Sequence, residues 1–275
     1  MMSQLIIKIA SKFIVISCLT MFLFSCSEKR EDIKLAATEN AIAQMIFNDI
    51  INQVDKTIQM SFSGNKNIQT ICPQITILPA PPDTTFPKIL TIDYGENCSG
   101  ANNIIRSGII KVTISGPYKK TGTTILIELE NYKQKSNIIK GSISITNAGK
   151  NNYNNTIFNI IVKNGHITTD DGIIEWSAIQ QREWFLGENT SWPLISDDIY
   201  RTTGESKGMS KDGKNFKTII MIPLVNDHNC QWIFEGSFNI TTENIAGKTF
   251  DFGKGNCDNK ATLTFKNKVY NITLD

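Results

Sequence analysis

Two periodicities divide the chain. Between Ala36 and Met60, Ile42, Ile46, Ile50, Val54 and Ile58 recur every four residues, with Met45 and Phe47 beside them. That spacing builds one apolar face of an α-helix. Thr38 and Glu39 mark its start and Ser61 to Gly64 its stop, so a helix is expected over residues 36–62. A single helix of this length is marginal in water, so the stripe must dock on something. Its other face offers Asn, Gln and Asp rather than the Lys and Arg of a helix lying on a membrane. The expected partner is therefore the rest of the chain.

From Lys88 onward the period becomes two. Ile110, Val112 and Ile114 face away from Lys111, Thr113 and Ser115; Ile125, Ile127 and Leu129 face away from Glu128 and Glu130. The same alternation returns in Ile143 and Ile145, in Phe216 to Leu224, in Trp232 to Ile240, and in the last strands near Ala261–Phe265 and Val269–Leu274. One apolar face and one polar face describe antiparallel sheets packed on one side. Turn residues arrive about every dozen positions, which points to hairpins and a meander. The fold class expected is all-β over residues 72–275: an extended antiparallel meander, a strongly curved sheet or a sandwich, with the one N-terminal helix docked on it. The curved sheet is preferred, because local hairpins wrap more readily than they split into two layers. Pro79, Pro81, Pro82 and Pro87 exclude a central strand there and mark an exposed loop.

A duplicated unit runs through this pattern. Asp93-Tyr94-Gly95-Glu96-Asn97-Cys98 is echoed by Asp251-Phe252-Gly253-Lys254-Gly255-Asn256-Cys257, and Cys72 and Cys230 each precede the aspartate by 21 residues. Four cysteines allow three pairings. The duplication selects Cys72–Cys98 and Cys230–Cys257, each worth on the order of 3 kcal/mol through restriction of the unfolded chain. A zinc site would prefer close Cys-x-x-Cys pairs, which do not occur. In this setting Asp93 and Asp251 read as turn formers rather than as paired catalytic acids, with Gly supplying the positive φ. A second echo relates Ile125–Thr146 to Ile219–Thr241, with Gly141 and Gly236 at corresponding places where a bulge is expected.

The N-terminal segment gives an address. A basic stretch ends at Lys12, and the uncharged run Phe13 to Ser25 is 13 residues, short of the ~20 needed to span a bilayer. It closes on Leu23-Phe24-Ser25-Cys26, ahead of a competing but poorer site at Cys18. This resembles the lipobox of bacterial lipoproteins. The resemblance implies a signal peptide over 1–25, lipidation of Cys26 by acyl chains such as palmitate, and a tether over 26–35. Ser27 implies sorting to the outer membrane, and the charged cluster Glu28–Asp32 is similar to export signals of surface lipoproteins in the Bacteroidetes. The side of the membrane stays open. An exported chain is also the setting in which disulfides persist.

Composition then narrows the chemistry. The chain is 40% hydrophobic and 20% charged, as folded domains are. Removing Lys8 and Lys12 leaves basic and acidic residues equal in number, so no basic field recruits nucleic acid. His166 and His228 both fall in polar turns and read as neutral surface imidazoles. Asp197-Asp198 and Asp212-Gly213 fit turns, and so does Asp83-Thr84-Thr85, which also resembles an O-glycosylation site. Neither a nucleophile elbow nor a zinc-protease helix occurs, and no metal or cofactor is expected. Trp176 and Trp184 share one face of a strand, with Gln180 and Arg182 between them, and Trp192 follows in a loop. They are candidates for stacking on a sugar, against a core reading. The function expected is a non-catalytic, membrane-anchored binding or structural protein with a glycan or protein partner. The alternative is a carboxylate-based glycan hydrolase using Asp170, Asp171 or Glu175.

Overall fold

The computed structural model describes residues 34–62, 72–100, 104–190, 193–243 and 245–274. Helix α1 spans 34–62, close to the expected 36–62. Fourteen strands follow. The first five are β1 (Gln74–Leu78), β2 (Lys88–Asp93), β3 (Cys98–Ser99), β4 (Ile105–Ile114) and β5 (Thr124–Gln134). The long central ones are β6 (Asn137–Lys150), β7 (Thr156–Thr169), β8 (Gly172–Leu186), β9 (Ile199–Met209) and β10 (Asn215–Asp227). The chain closes with β11 (Glu235–Thr242), β12 (Ile245–Lys254), β13 (Lys260–Phe265) and β14 (Lys268–Thr273). A short 3-10 turn, Ile195–Asp197, precedes β9.

All but β3 form one antiparallel path in sequence order, from β1 to β14; β3 pairs only with β4. The meander expected from the alternation is therefore present, as a single sheet that does not close on itself. The proline loop separates β1 from β2, and Lys88 ties it down by donating to the carbonyls of Pro79 and Asp83, both at 2.8 Å. Within that loop Asp83 Oδ1 accepts from the Thr85 amide and hydroxyl, each at 2.6 Å, as a turn former does.

Bulges bend the sheet. Gly141 has φ +134° and Gly236 φ +107°, and at both the ladder slips register. A Cβ at Gly236 would lie 2.3 Å from the Pro223 carbonyl oxygen, so only glycine fits there. The two glycines that correspond in the second sequence echo thus do the same work.

The bend encloses the helix, and here the structure departs from the sequence reading. An amphipathic helix with a solvated polar face was expected. Instead, between Ala36 and Ile58 only Thr38, Ile42, Asn48, Gln53 and Lys56 are even partly exposed. At 3.6 residues per turn these five fall on one side of the helix. Ile46, Ile50, Val54 and Ile58 are buried as predicted, but so are Glu39, Asn40, Gln44, Asp49, Asn52 and Asp55. The sheet reaches around to cover them. Phe47 stacks on Trp176 with ring centroids 5.1 Å apart, over Gly165 of β7.

Candidate functional site

Burying the polar side of a helix requires a partner for every polar group. The inner faces of the strands supply most of them, Glu39 Oε1 and Ser61 Oγ being left without a hydrogen bond. Near the helix start, Asn40 Oδ1 accepts from Trp176 Nε1 at 2.9 Å and from Ser206 Oγ at 2.7 Å, and Gln44 pairs with Gln180. One turn on, Asp49 takes both oxygens to Arg106 Nη2 at 2.7 Å and accepts from Gln134 Nε2 at 3.1 Å. Burial is the largest single influence on the Arg106 guanidinium and pulls it down, but the charge and hydrogen bonds of Asp49, with Tyr132 and Tyr94 nearby, together outweigh it and hold the group above its ordinary range. Further along, Asp55 is held by Arg182 Nη1 at 2.7 Å and by the Tyr118 hydroxyl at 2.6 Å, while Arg182 Nη2 donates to Asn52 at 2.5 Å. Arg182 also lies 3.6 Å above the Tyr200 ring centroid. Burial raises the Tyr118 and Tyr200 phenols well above their usual range, so both stay neutral donors.

A fourth cluster caps the helix end. Asp198 is fully buried and accepts from Trp184 Nε1 and Gln59 Nε2, both at 3.0 Å. His228 Nε2 stands 3.6 Å from Asp198 Oδ2, the oxygen that also accepts from Gln59, with the imidazole only 4% exposed. This corrects the reading of His228 as a surface imidazole; Asp198 does close a turn, its amide donating to the Ile195 carbonyl at 3.2 Å, but its carboxylate is buried. The two are 30 positions apart in sequence and meet because they flank the β9–β10 pairing, one step beyond Asp227↔Ile199. His166 does lie near the surface, its Nδ1 2.9 Å from the Asn164 carbonyl oxygen, but within strand β7, paired with Lys140 and Glu175, rather than in the turn expected.

The duplicated cysteine units sit where the sheet closes over the helix. Both expected disulfides are present, Cys72–Cys98 and Cys230–Cys257, with Cα atoms 5.7 and 5.8 Å apart. Cys98 is the direct register partner of Arg106, which grips Asp49. Asp227, whose carboxylate accepts from the Cys230 amide at 2.6 Å, offers its carbonyl to Asn52 at 3.4 Å. Each staple therefore braces a residue that holds the helix. Gly100 from one unit and Cys230 from the other line the same crevice over α1. The aspartates behave identically as well: Asp93 Oδ1 accepts from the Gly95 amide and Asp251 Oδ1 from the Gly253 amide, each at 2.8 Å. Gly95 and Gly253 have φ +59° and +94°, and Tyr94 and Phe252 point into the core. The turn reading of Asp93 and Asp251 holds.

The tryptophan stacking candidates do not survive as such. Trp176 and Trp184 are 1% and 0% exposed, with both indole N–H groups satisfied inside, so neither ring is available to a sugar. The core reading holds for them. Asp170 and Asp171 are exposed in the β7–β8 turn, and Glu175 lies on the outer face of β8. Cys26 and Trp192 lie outside the described residues. Among the described residues no group of three or more metal-ligating side chains occurs, and no helix is long and apolar enough to cross a membrane.

Two kinds of space remain. Beside the helix, crevices of about 50 and 70 Å³ hold room for a few waters. On the sheet surface, open concavities of about 550 and 560 Å³ are walled by Glu175, Lys207, Lys217 and Glu243, and by Asp251, Lys254, Asp258 and Lys260. The outer face also carries one transverse row in unbroken register: Leu78, Ile89, Thr113, Leu126, Ser144, Ile161, Ile179, Glu205, Ile219, Asn239, Thr249, Thr264 and Val269. Seven of these are exposed aliphatics. Two residues along, about 7 Å, the next row carries Lys111, Glu128, Lys163, Lys207 and Lys217. A lipid-embedded barrel needs an apolar band about 25 Å tall, so this belt does not cross a bilayer. Comparison with known protein families, with curated proteins and with solved structures finds no match to the chain.

Proposed function

We propose that the protein is a non-catalytic lipoprotein, anchored to the outer membrane through a lipid on Cys26, whose role is binding or structural and is exercised from the outside of its sheet. The observation that carries this reading is the filled interior. The concave side of the sheet is occupied by the chain's own helix, fixed by matched ion pairs. The crevices left there, about 50 and 70 Å³, are far below the roughly 300–1,000 Å³ of a small-molecule pocket. The anchor itself rests on the segment Leu23-Phe24-Ser25-Cys26 and the charged tether that follows it. With α1 starting at residue 34, that tether is short, which would hold the sheet close to the membrane surface.

The alternative, a carboxylate-based hydrolase or binder of glycans, loses its stacking platform with Trp176 and Trp184 in the core. The test of the anchor is fractionation of a Cys26→Ala variant with metabolic palmitate labelling. The label is lost and the protein moves to the soluble fraction; a variant that stays with the membrane would show the reading to be wrong.

A further inference from the structure

An open sheet has two edges, and here they differ. Strand β1 is bracketed by Pro73 and Pro79, which shorten and guard it. Strand β14 has no proline and no bulge: all six of its residues pair in regular register with β13, from Lys268↔Phe265 to Thr273↔Lys260. Among the described residues no strand pairs with its other side. The direction of its backbone groups follows from one bond. The Leu274 amide donates inward, to the Asn259 carbonyl at 2.8 Å. Backbone polarity alternates along a strand, so the N–H and C=O groups of Val269, Asn271 and Thr273 point outward.

Three further features say what fits there. Val269 is 64% exposed and ends the aliphatic row that crosses the whole sheet. Asn271 and Thr273 line the concavity of about 560 Å³, which leaves space beside the edge. Residues 260–274 hold Lys260, Lys266 and Lys268 and no acidic residue, with Lys266 and Lys268 exposed at the turn end. Asp251 and Asp258 lie at the opposite end, beside Lys254 and Lys260. A row of alternating donors and acceptors is met only by another extended backbone, and the lysines at the turn favour a carboxylate on it. A dimer built from this one short strand pair would bury well under the roughly 1,200 Å² of a stable interface, which argues against a second copy.

We propose that the free edge of β14 is a strand-addition site for an extended segment of another protein, with an apolar residue beside Val269 and acidic residues against Lys266 and Lys268. This inference stands apart from the lipid anchor. The test uses the whole protein and a synthetic peptide of about eight residues, Val and Thr alternating, with Glu at both ends. Amide hydrogen exchange is read residue by residue. The expected result is slowing of at least about tenfold at Val269, Asn271 and Thr273 but not at the already bonded residues between them. The same peptide with Lys at its ends binds more weakly, and one N-methylated at every residue, which leaves neither edge able to donate, does not bind. Asn271→Pro removes an outward N–H without taking a bond from β13, so it abolishes the effect in a protein that still folds. Slowing that persists with the N-methylated peptide, or no slowing with the acidic one, overturns the proposal. So does an edge already protected without peptide in a protein of doubled mass, because a second copy would then occupy it.

Discussion

The enclosed helix makes a quantitative prediction at Arg182. Its side chain and that of Asp55 are both 2% exposed. Replacing Arg182 with Met keeps most of the packing volume but removes the 2.7 Å bond to Asp55 and the 2.5 Å bond to Asn52, and takes the cation off the Tyr200 ring. Asp55 is then a buried carboxylate with only the Tyr118 hydroxyl as donor. Breaking such a pair from one side costs about 3–5 kcal/mol, a large share of the 5–15 kcal/mol that a domain has in total. Asp55→Asn in the same chain removes the stranded charge and leaves an acceptor for Tyr118. The double variant should therefore recover most of the loss, ending within about 1–2 kcal/mol of the parent. The assay is urea unfolding of the four proteins in a double-mutant cycle. A single Arg182→Met loss under about 1 kcal/mol, or two losses that simply add, would mean that the pair is solvated and the helix is not enclosed as described.

Other perturbations test other joints. A Cβ at Gly165 would lie 2.6 Å from the Trp176 carbonyl oxygen and 2.8 Å from the Phe47 ring, so Gly165→Ala should cost about 1–3 kcal/mol in the same unfolding assay. Burial lowers the Lys248 ammonium to about 8 from 10.5. The unfolded chain then holds the extra proton between those two values, so stability rises as pH goes from about 8 to 10.5, and Lys248→Met flattens that rise in pH-dependent thermal melts. Changing Cys230 and Cys257 together to Ser should remove about 3–4 kcal/mol for a loop of this length and loosen the crevice beside Asn52. Non-reducing peptide mapping of the parent should recover Cys72–Cys98 and Cys230–Cys257.

Much of this was legible in the chain. The period-two alternation gave the antiparallel meander, and the shared 21-residue spacing gave both disulfide pairings and the matching Asp–Gly turns. The last hairpin was placed nearly in register: strands were expected near Ala261–Phe265 and Val269–Leu274, and they run Lys260–Phe265 and Lys268–Thr273 with the turn at Lys266 and Asn267. The enclosure of the helix was not read, because Asn40, Gln44, Asn52 and Asp55 on a helix look like a solvated face when seen alone. The sign lay elsewhere, in β8, where Gln180 and Arg182 share the face of Trp176 and Trp184. Polar residues on a strand's core face call for polar partners on whatever lies across from it. Asp198 with His228 follows only once β9 and β10 are known to pair in register, and Asp49 with Arg106, 57 residues apart, carries no local pattern because a helix residue meets a strand residue there. Periodicity reports which side of an element is buried; it does not report what the other element brings.

The central claim is that one sheet wraps around its own N-terminal helix and locks it by buried charge. Native-state hydrogen exchange of α1 tests this most directly. If the helix is enclosed, amides from Ala41 to Ile58 exchange only through global unfolding, at the same free energy as those of β7 and β8. If they exchange through a smaller opening, several kcal/mol cheaper, while the strands stay protected, the helix merely rests on the sheet and the account is wrong.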